Sequence, residues 1–178
     1  MSREQFQRHI ANTGGHIDKV VVGAAIIRQN DPPAGPRATG PQLLLLKRSP
    51  TENYYPNVFE MPGGNVDSTD ATIRDALVRE VMEETGLVVT RILDQLPSFI
   101  YTTEKVVKVS GGQKENILKK CIQLSFVVLV DGEDFRVNPE EHSTGSWATK
   151  EMLLEMNITE DMRRIVSVAL DRQKNYSR

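Results

Sequence analysis

From Met61 to Leu87 the chain reads MPGGNVDSTDATIRDALVREVMEETGL, and no other stretch limits the fold as tightly. A helix turns by about 100° per residue, so positions three and four apart share a face. Glu80, Glu83 and Glu84 therefore converge, and Val78, Val81 and Met82 are predicted to form the core stripe on the other side. Three carboxylates with only Arg79 beside them repel one another. Folding alone gives no reason to gather them. A solvated acidic face is one reading. The other is a site for a hard divalent cation, which takes several carboxylate oxygens and, for Mg²⁺, shares them with substrate phosphates.

The surrounding pattern favours the cation. It resembles the signature of the Nudix hydrolases, G-x5-E-x7-R-E-U-x-E-E-x-G-U with U a bulky aliphatic. Gly64 opens it, Asp70 stands at the first acidic position, and Arg79-Glu80-Val81 with Glu83-Glu84-Thr85-Gly86-Leu87 matches the second half. There are two departures. The first acid is Asp, and eight residues rather than seven separate it from Arg79, which leaves Asp67 as an alternative occupant. The resemblance implies an α/β fold, a Nudix-type α/β/α sandwich with a mixed β-sheet between helices. It implies Mg²⁺, with Mn²⁺ as a substitute, held by Glu80, Glu83, Glu84 and a backbone carbonyl near Gly64. The reaction it implies is hydrolysis of a phosphoanhydride bond in a nucleoside diphosphate linked to another moiety, or a similar pyrophosphate. Glu80 and Glu84 would be the main ligands, Glu83 an additional ligand or water holder, and Arg79 an organiser paired with Asp70 or Asp67. The general base is one of the box glutamates or Glu141; the resemblance puts a further acid in a loop ahead of a tryptophan-bearing strand, with Glu140 the second choice. A Nudix-fold binding or regulatory module without catalysis is the opposing reading, sustained by the altered spacing after Asp70.

At 178 residues the chain suits one domain, 1–178, with a core of its own. Hydrophobic residues at 39% and charged residues at 26% are those of an ordinary soluble domain. A net charge of −2 gives no global reason for nucleic-acid or membrane binding, so capped RNA enters only as one kind of diphosphate substrate. The one cysteine, Cys121, excludes an intrachain disulfide, fits a reducing cytoplasm, and is read as a buried inert thiol. The N-terminal MSREQFQRHI has no signal-peptide core, and no apolar run reaches the ~20 residues that span a bilayer. Zinc and serine-nucleophile chemistry find no Cys/His cluster and no nucleophile elbow. A homodimer is expected only because similar proteins are often dimers.

Residues 1–18 are polar, a short helix or loose arm. Three continuous apolar runs, Val20–Ile27, Leu43–Leu46 and Cys121–Val130, are predicted as buried strands, with Gly23 marking close packing or a bulge in the first. Arg28–Pro41 is rich in Pro and Gly, a connecting loop. Lys47 and Arg48 end the second run, either as phosphate ligands or as a solvated strand end. Thr51–Phe59 leads into the glycines, where the resemblance puts the substrate. Tyr54, Tyr55 and Phe59 there stack on a base or cover the core, and Gly63 and Gly64 let backbone approach closely. Leu87–Ile100 reads as one or two strands. Residues 104–120 carry five lysines against two glutamates around Ser110-Gly111-Gly112-Gln113, a hairpin or loop insertion whose lysines attract a polyanion or protect an edge. His142 reads as exposed and incidental. Lys150–Asn157 and Thr159–Leu170 are predicted helices, the second capped by Thr159.

Overall fold

The computed structural model describes residues 1–28, 40–52, 54–108 and 114–173. Most of the Arg28–Pro41 loop and the Ser110–Gln113 turn therefore lie outside the described residues. Among the described residues, seven strands form a mixed sheet: β1 Lys19–Arg28, β2 Gln42–Arg48, β3 Phe59–Glu60, β4 Val89–Gln95, β5 Phe99–Lys108, β6 Lys114–Val130 and β7 His142–Ala148. Its centre is the parallel pair β1 and β6, in register from Lys19↔Cys121 to Ile26↔Val128. The other strand pairings are antiparallel. β5 and β6 continue their pairing as far as Lys108↔Lys114.

Helices cover both faces. Val20, Val22, Ala24, Leu44 and Leu46 turn towards α1 (Arg3–Asn12) and α2 (Ile73–Thr85), whereas Ala25, Leu43 and Leu45 pack under α3 (Glu160–Arg172). Successive strand residues point to opposite faces, so a run such as LLLL is fully buried only when both faces are roofed. Each of those four leucines is 0% exposed. This is the expected α/β/α sandwich. The first residues form a helix because Ser2 and Gln5 make a reciprocal capping box, and Phe6 and Ile10 then settle on the core.

Two expectations are corrected. On α2 the buried stripe is Ile73, Ala76, Leu77 and Val81, and it continues into Glu80, Glu84 and Thr85. Val78 and Met82 lie on the outside, 38% and 43% exposed. The acidic and apolar residues share a face, contrary to the usual division of an amphipathic helix. The second correction is Lys150–Asn157, where only Met152–Leu154 form a single 3-10 turn. The Phe59 N–H donates to Asn157 O at 2.8 Å and Ile158 bridges to Phe59, so the chain leaves the helical path to meet β3. Thr159 does cap α3, accepting from the Met162 N–H.

Candidate active site

The loop between β3 and α2 is laid along β1 as an improvised edge. Ala24 N–H donates to Pro62 O, Val22 N–H to Gly64 O and Val66 N–H to Val20 O, at 2.7–2.9 Å. That approach demands glycine. A Cβ on Gly63, whose φ is +155°, would fall 2.1 Å from Val22 O, and one on Gly64 would fall 2.6 Å from the Glu80 carboxylate. The glycine pair is thus wedged between the central strand and the acidic face of α2.

Across that wedge the box residues assemble. Arg79 donates through Nε and Nη2 to both Asp70 oxygens at 2.9 and 2.8 Å, through Nη1 to Glu80 and Glu83, and through Nη2 to Asn65 O. Asp67 stands 3.9 Å away, so Asp70 is the acid that Arg79 grips. Its hydrogen bonds from Arg79 hold the Asp70 carboxyl below its ordinary value. Glu84 is 2% exposed and accepts from the Gly63 N–H at 2.8 Å. Burial first, then the nearby charges of Glu60, Glu80 and Glu141, push Glu84 up to about 9. Glu80 is raised for the same leading reason, against the pull of Arg79. Glu83 projects outward, its side chain 53% exposed.

Three residues of this region were not assigned roles from sequence, and each is buried or bonded. Glu60 accepts from Arg48 Nη1 at 2.6 Å and meets His142 Nε2 at 3.2 Å. His142, expected to be exposed, is 1% exposed, and its Nδ1 faces Glu84 Oε1 at 3.7 Å with no hydrogen-bond partner among the described residues. Gln123, on β6, borders both cavities described below. The only hint was adjacency: Glu60 sits just ahead of the glycine turn and His142 follows Glu141. Glu141 itself lies exposed beside the cluster, its backbone O accepting from the Ser49 N–H.

Two adjoining cavities open beside the glycines. One, of about 160 Å³, is lined by Arg48, Tyr54, Tyr55, Gly63 and Gly64 among others. The second, of about 110 Å³, runs on between Tyr55, Phe59, Phe99 and Met162. Arg48 is braced by Glu60, Glu52 and the Tyr54 carbonyl. Lys47 lines neither cavity and stands 5.9 Å over the Phe59 ring. Tyr55 and Asn57 both adopt left-handed backbone, φ 49° and 62°, a strain that surrounding structure must sustain.

Among the described residues, no three acidic, histidine or cysteine side chains form a ready-made cation cluster. Arg79 holds Glu80 and Glu83, and Glu84 turns to Gly63. The donor chemistry nonetheless fits a hard dication. The two buried carboxylates carry only oxygen donors, and burial with like charge has raised both, an unfavourable state that a nearby dication reverses.

The family model described as NUDIX domain matches residues 19–168. The m7GpppN-mRNA hydrolase NUDT17 of Danio rerio is 38% identical over 68 residues, covering 38% of this chain and 20% of that protein. The acyl-coenzyme A diphosphatase NUDT19 of Xenopus laevis is 29% identical over 108 residues, 57% of this chain and 28% of that protein. The chain thus spans well under half the length of these curated relatives. In fold, it is similar to the NUDIX domain of Shewanella oneidensis NrtR complexed with ADP ribose, with a TM-score of 0.62 at 17% identity, covering 97% of this chain and 99% of that one. With the family model spanning most of the chain, and the box residues gathered where the glycine turn meets α2, this protein belongs to the Nudix family.

Proposed function

We propose that this chain is a divalent-cation-dependent hydrolase of a phosphoanhydride bond, acting on a nucleoside diphosphate linked to another moiety. The observation that carries the reading is the burial of Glu80 and Glu84 against Gly63 and Gly64, beside an open cavity. Glu80 and Glu84 would hold the cation, with Glu83 at the rim and the Gly64 carbonyl as a further oxygen. Mg²⁺, or Mn²⁺ in its place, supplies charge neutralisation on the non-bridging phosphate oxygens and a more acidic bound water. Arg79 fixes Glu80 and Glu83 in orientation while Asp70 anchors it from behind. Glu141 is exposed at the cluster's edge and makes no ion pair among the described residues, which favours it over the box glutamates as acceptor of the water's proton. Tyr54, Phe59, Gly63, Gly64 and Arg48 border the space left for substrate. Lys47 acts at a distance, through its charge. The names of the two relatives, a hydrolase and a diphosphatase, support the same reaction class.

The non-catalytic reading drew on the extra residue after Asp70. Arg79 reaches Asp70 through two hydrogen bonds regardless, so that departure is absorbed by the loop. A panel of diphosphates incubated with Mg²⁺ and scored for released phosphate monoesters tests the proposal. We expect turnover of at least one member, lowered by two orders of magnitude or more in Glu84→Gln, about 3 kcal/mol of barrier, with an unchanged circular dichroism spectrum. Binding without turnover across the panel would favour the regulatory module.

A further inference from the structure

Gln123 is a buried polar side chain for which the reaction gives no role. It lies on β6, 6% exposed, and its side-chain amide makes no hydrogen bond among the described residues, although it borders two cavities. An amide that borders a cavity and has no protein partner keeps both its donor and its acceptor for what enters that cavity. The neighbouring strand also makes room for it. A Cβ on Gly23 of β1 would come within 2.5 Å of Gln123 Nε2, so a glycine in the central strand is what lets the amide lie across the sheet.

The amide stands where the two cavities meet, bordering both with Tyr55, Glu60 and Tyr101. On one side are the glycines and Arg48. On the other, Val58, Phe59, Phe99 and Met162 form apolar walls, and among the described residues the charged groups that line it are the carboxylates of Glu60 and Asp161. Both are already paired, with Arg48 and Arg164. A second phosphate placed there meets two carboxylates whose cations are already engaged. A flat uncharged ring meets aromatic and apolar surface on which it can stack.

We infer that Gln123 is a specificity-determining residue that hydrogen-bonds the edge of a planar, uncharged heterocyclic base carried by the substrate. The base lodges beside Tyr55, Phe59 and Phe99 while the diphosphate lies at Gly63 and Gly64, a placement that rests on the hydrolase reading. A primary amide offers a donor and an acceptor side by side, matching the paired edge of an amino-substituted base. Such a bidentate pair discriminates by roughly tenfold to a hundredfold. Polyphosphorylated alcohols and alkyl diphosphates leave the amide unmatched, and the inference excludes them as preferred substrates.

The test uses Gln123→Met, which keeps volume and removes hydrogen bonding, with Gln123→Leu in reserve should Met not fold. Probes are diphosphate sugars bearing each of four common nucleobases, and the same diphosphate lacking a base, assayed with Mg²⁺. The wild-type chain is expected to prefer one base-bearing probe over the abasic one, and Gln123→Met to shrink that kcat/KM ratio tenfold to a hundredfold, mainly through KM. Its melting temperature should match that of the wild type, because no hydrogen bond within the protein is lost. An unchanged ratio, or a loss of activity that follows a fall in melting temperature, overturns the inference. If no probe is hydrolysed, the hydrolase reading fails separately, and calorimetric titration of the same nucleotides decides here. Base-dependent binding lost in Gln123→Met sustains the site; base-independent binding, or none, overturns it.

Discussion

One guanidinium, that of Arg79, is divided among Asp70, Glu80, Glu83 and a backbone carbonyl. Only a planar fork with five donors can do this; a lysine is a point charge on a mobile stem. Arg79→Ala leaves the partly buried Glu80 beside Glu84 without its cation, and the expected cost is about 1–3 kcal/mol, below the value for a fully buried pair because the Arg79 side chain is 27% exposed. Urea unfolding measures that loss, and kcat/KM should fall by more than the folded fraction does. Arg79→Lys should recover stability in part and activity little. Asp67→Ala should stay within about 0.5 kcal/mol of the wild type, since its carboxylate is distant and exposed. A loss at Asp67 equal to that at Asp70 would contradict the clamp as described.

At the scale of elements, α2 shows what periodicity reveals and what it conceals. The predicted stripe is Val78, Val81 and Met82, of which Val81 alone is buried, whereas the helix itself was readable. The side that the carboxylates take was not, because an isolated amphipathic helix puts charge outward. Here the glycine wedge replaces water over Glu80 and Glu84, and Val78 and Met82 are displaced to the surface. Leu77→Ala should therefore cost about 2–5 kcal/mol, whereas Val78→Ala and Met82→Ala should each cost less than about 0.5 kcal/mol. Denaturant midpoints at constant m-value would show it, and a large loss at Val78 would reverse the assigned face. The strands were legible because roofing on both sides demands unbroken apolar runs. The segment before α3 was not, since its hydrogen bond to β3 joins residues far apart in the chain.

In the whole molecule, the parallel pairing of β1 with β6 is what brings Gln123 beside Gly23 and the glycine turn, while β3 and β7 flank β2 and bring Glu60 to His142. Contacts of this kind depend on sheet order and have no local signature, which is why the box was readable and its surroundings were not. The same architecture buries two carboxylates that either a proton or a dication can neutralise, and thermal unfolding against pH measures this most directly. Glu84 keeps its proton in the folded chain up to about 9, whereas the unfolded chain releases it near 4.5. Without added metal, the stability that Glu84 contributes is therefore fully present below the lower value and is lost as pH rises towards the upper one. The predicted result is a declining curve in chelator, a flatter one in millimolar Mg²⁺ with the largest gain at high pH, and loss of both effects in Glu84→Gln. A pH-independent wild-type curve, or Mg²⁺ stabilisation undiminished in Glu84→Gln, would contradict it.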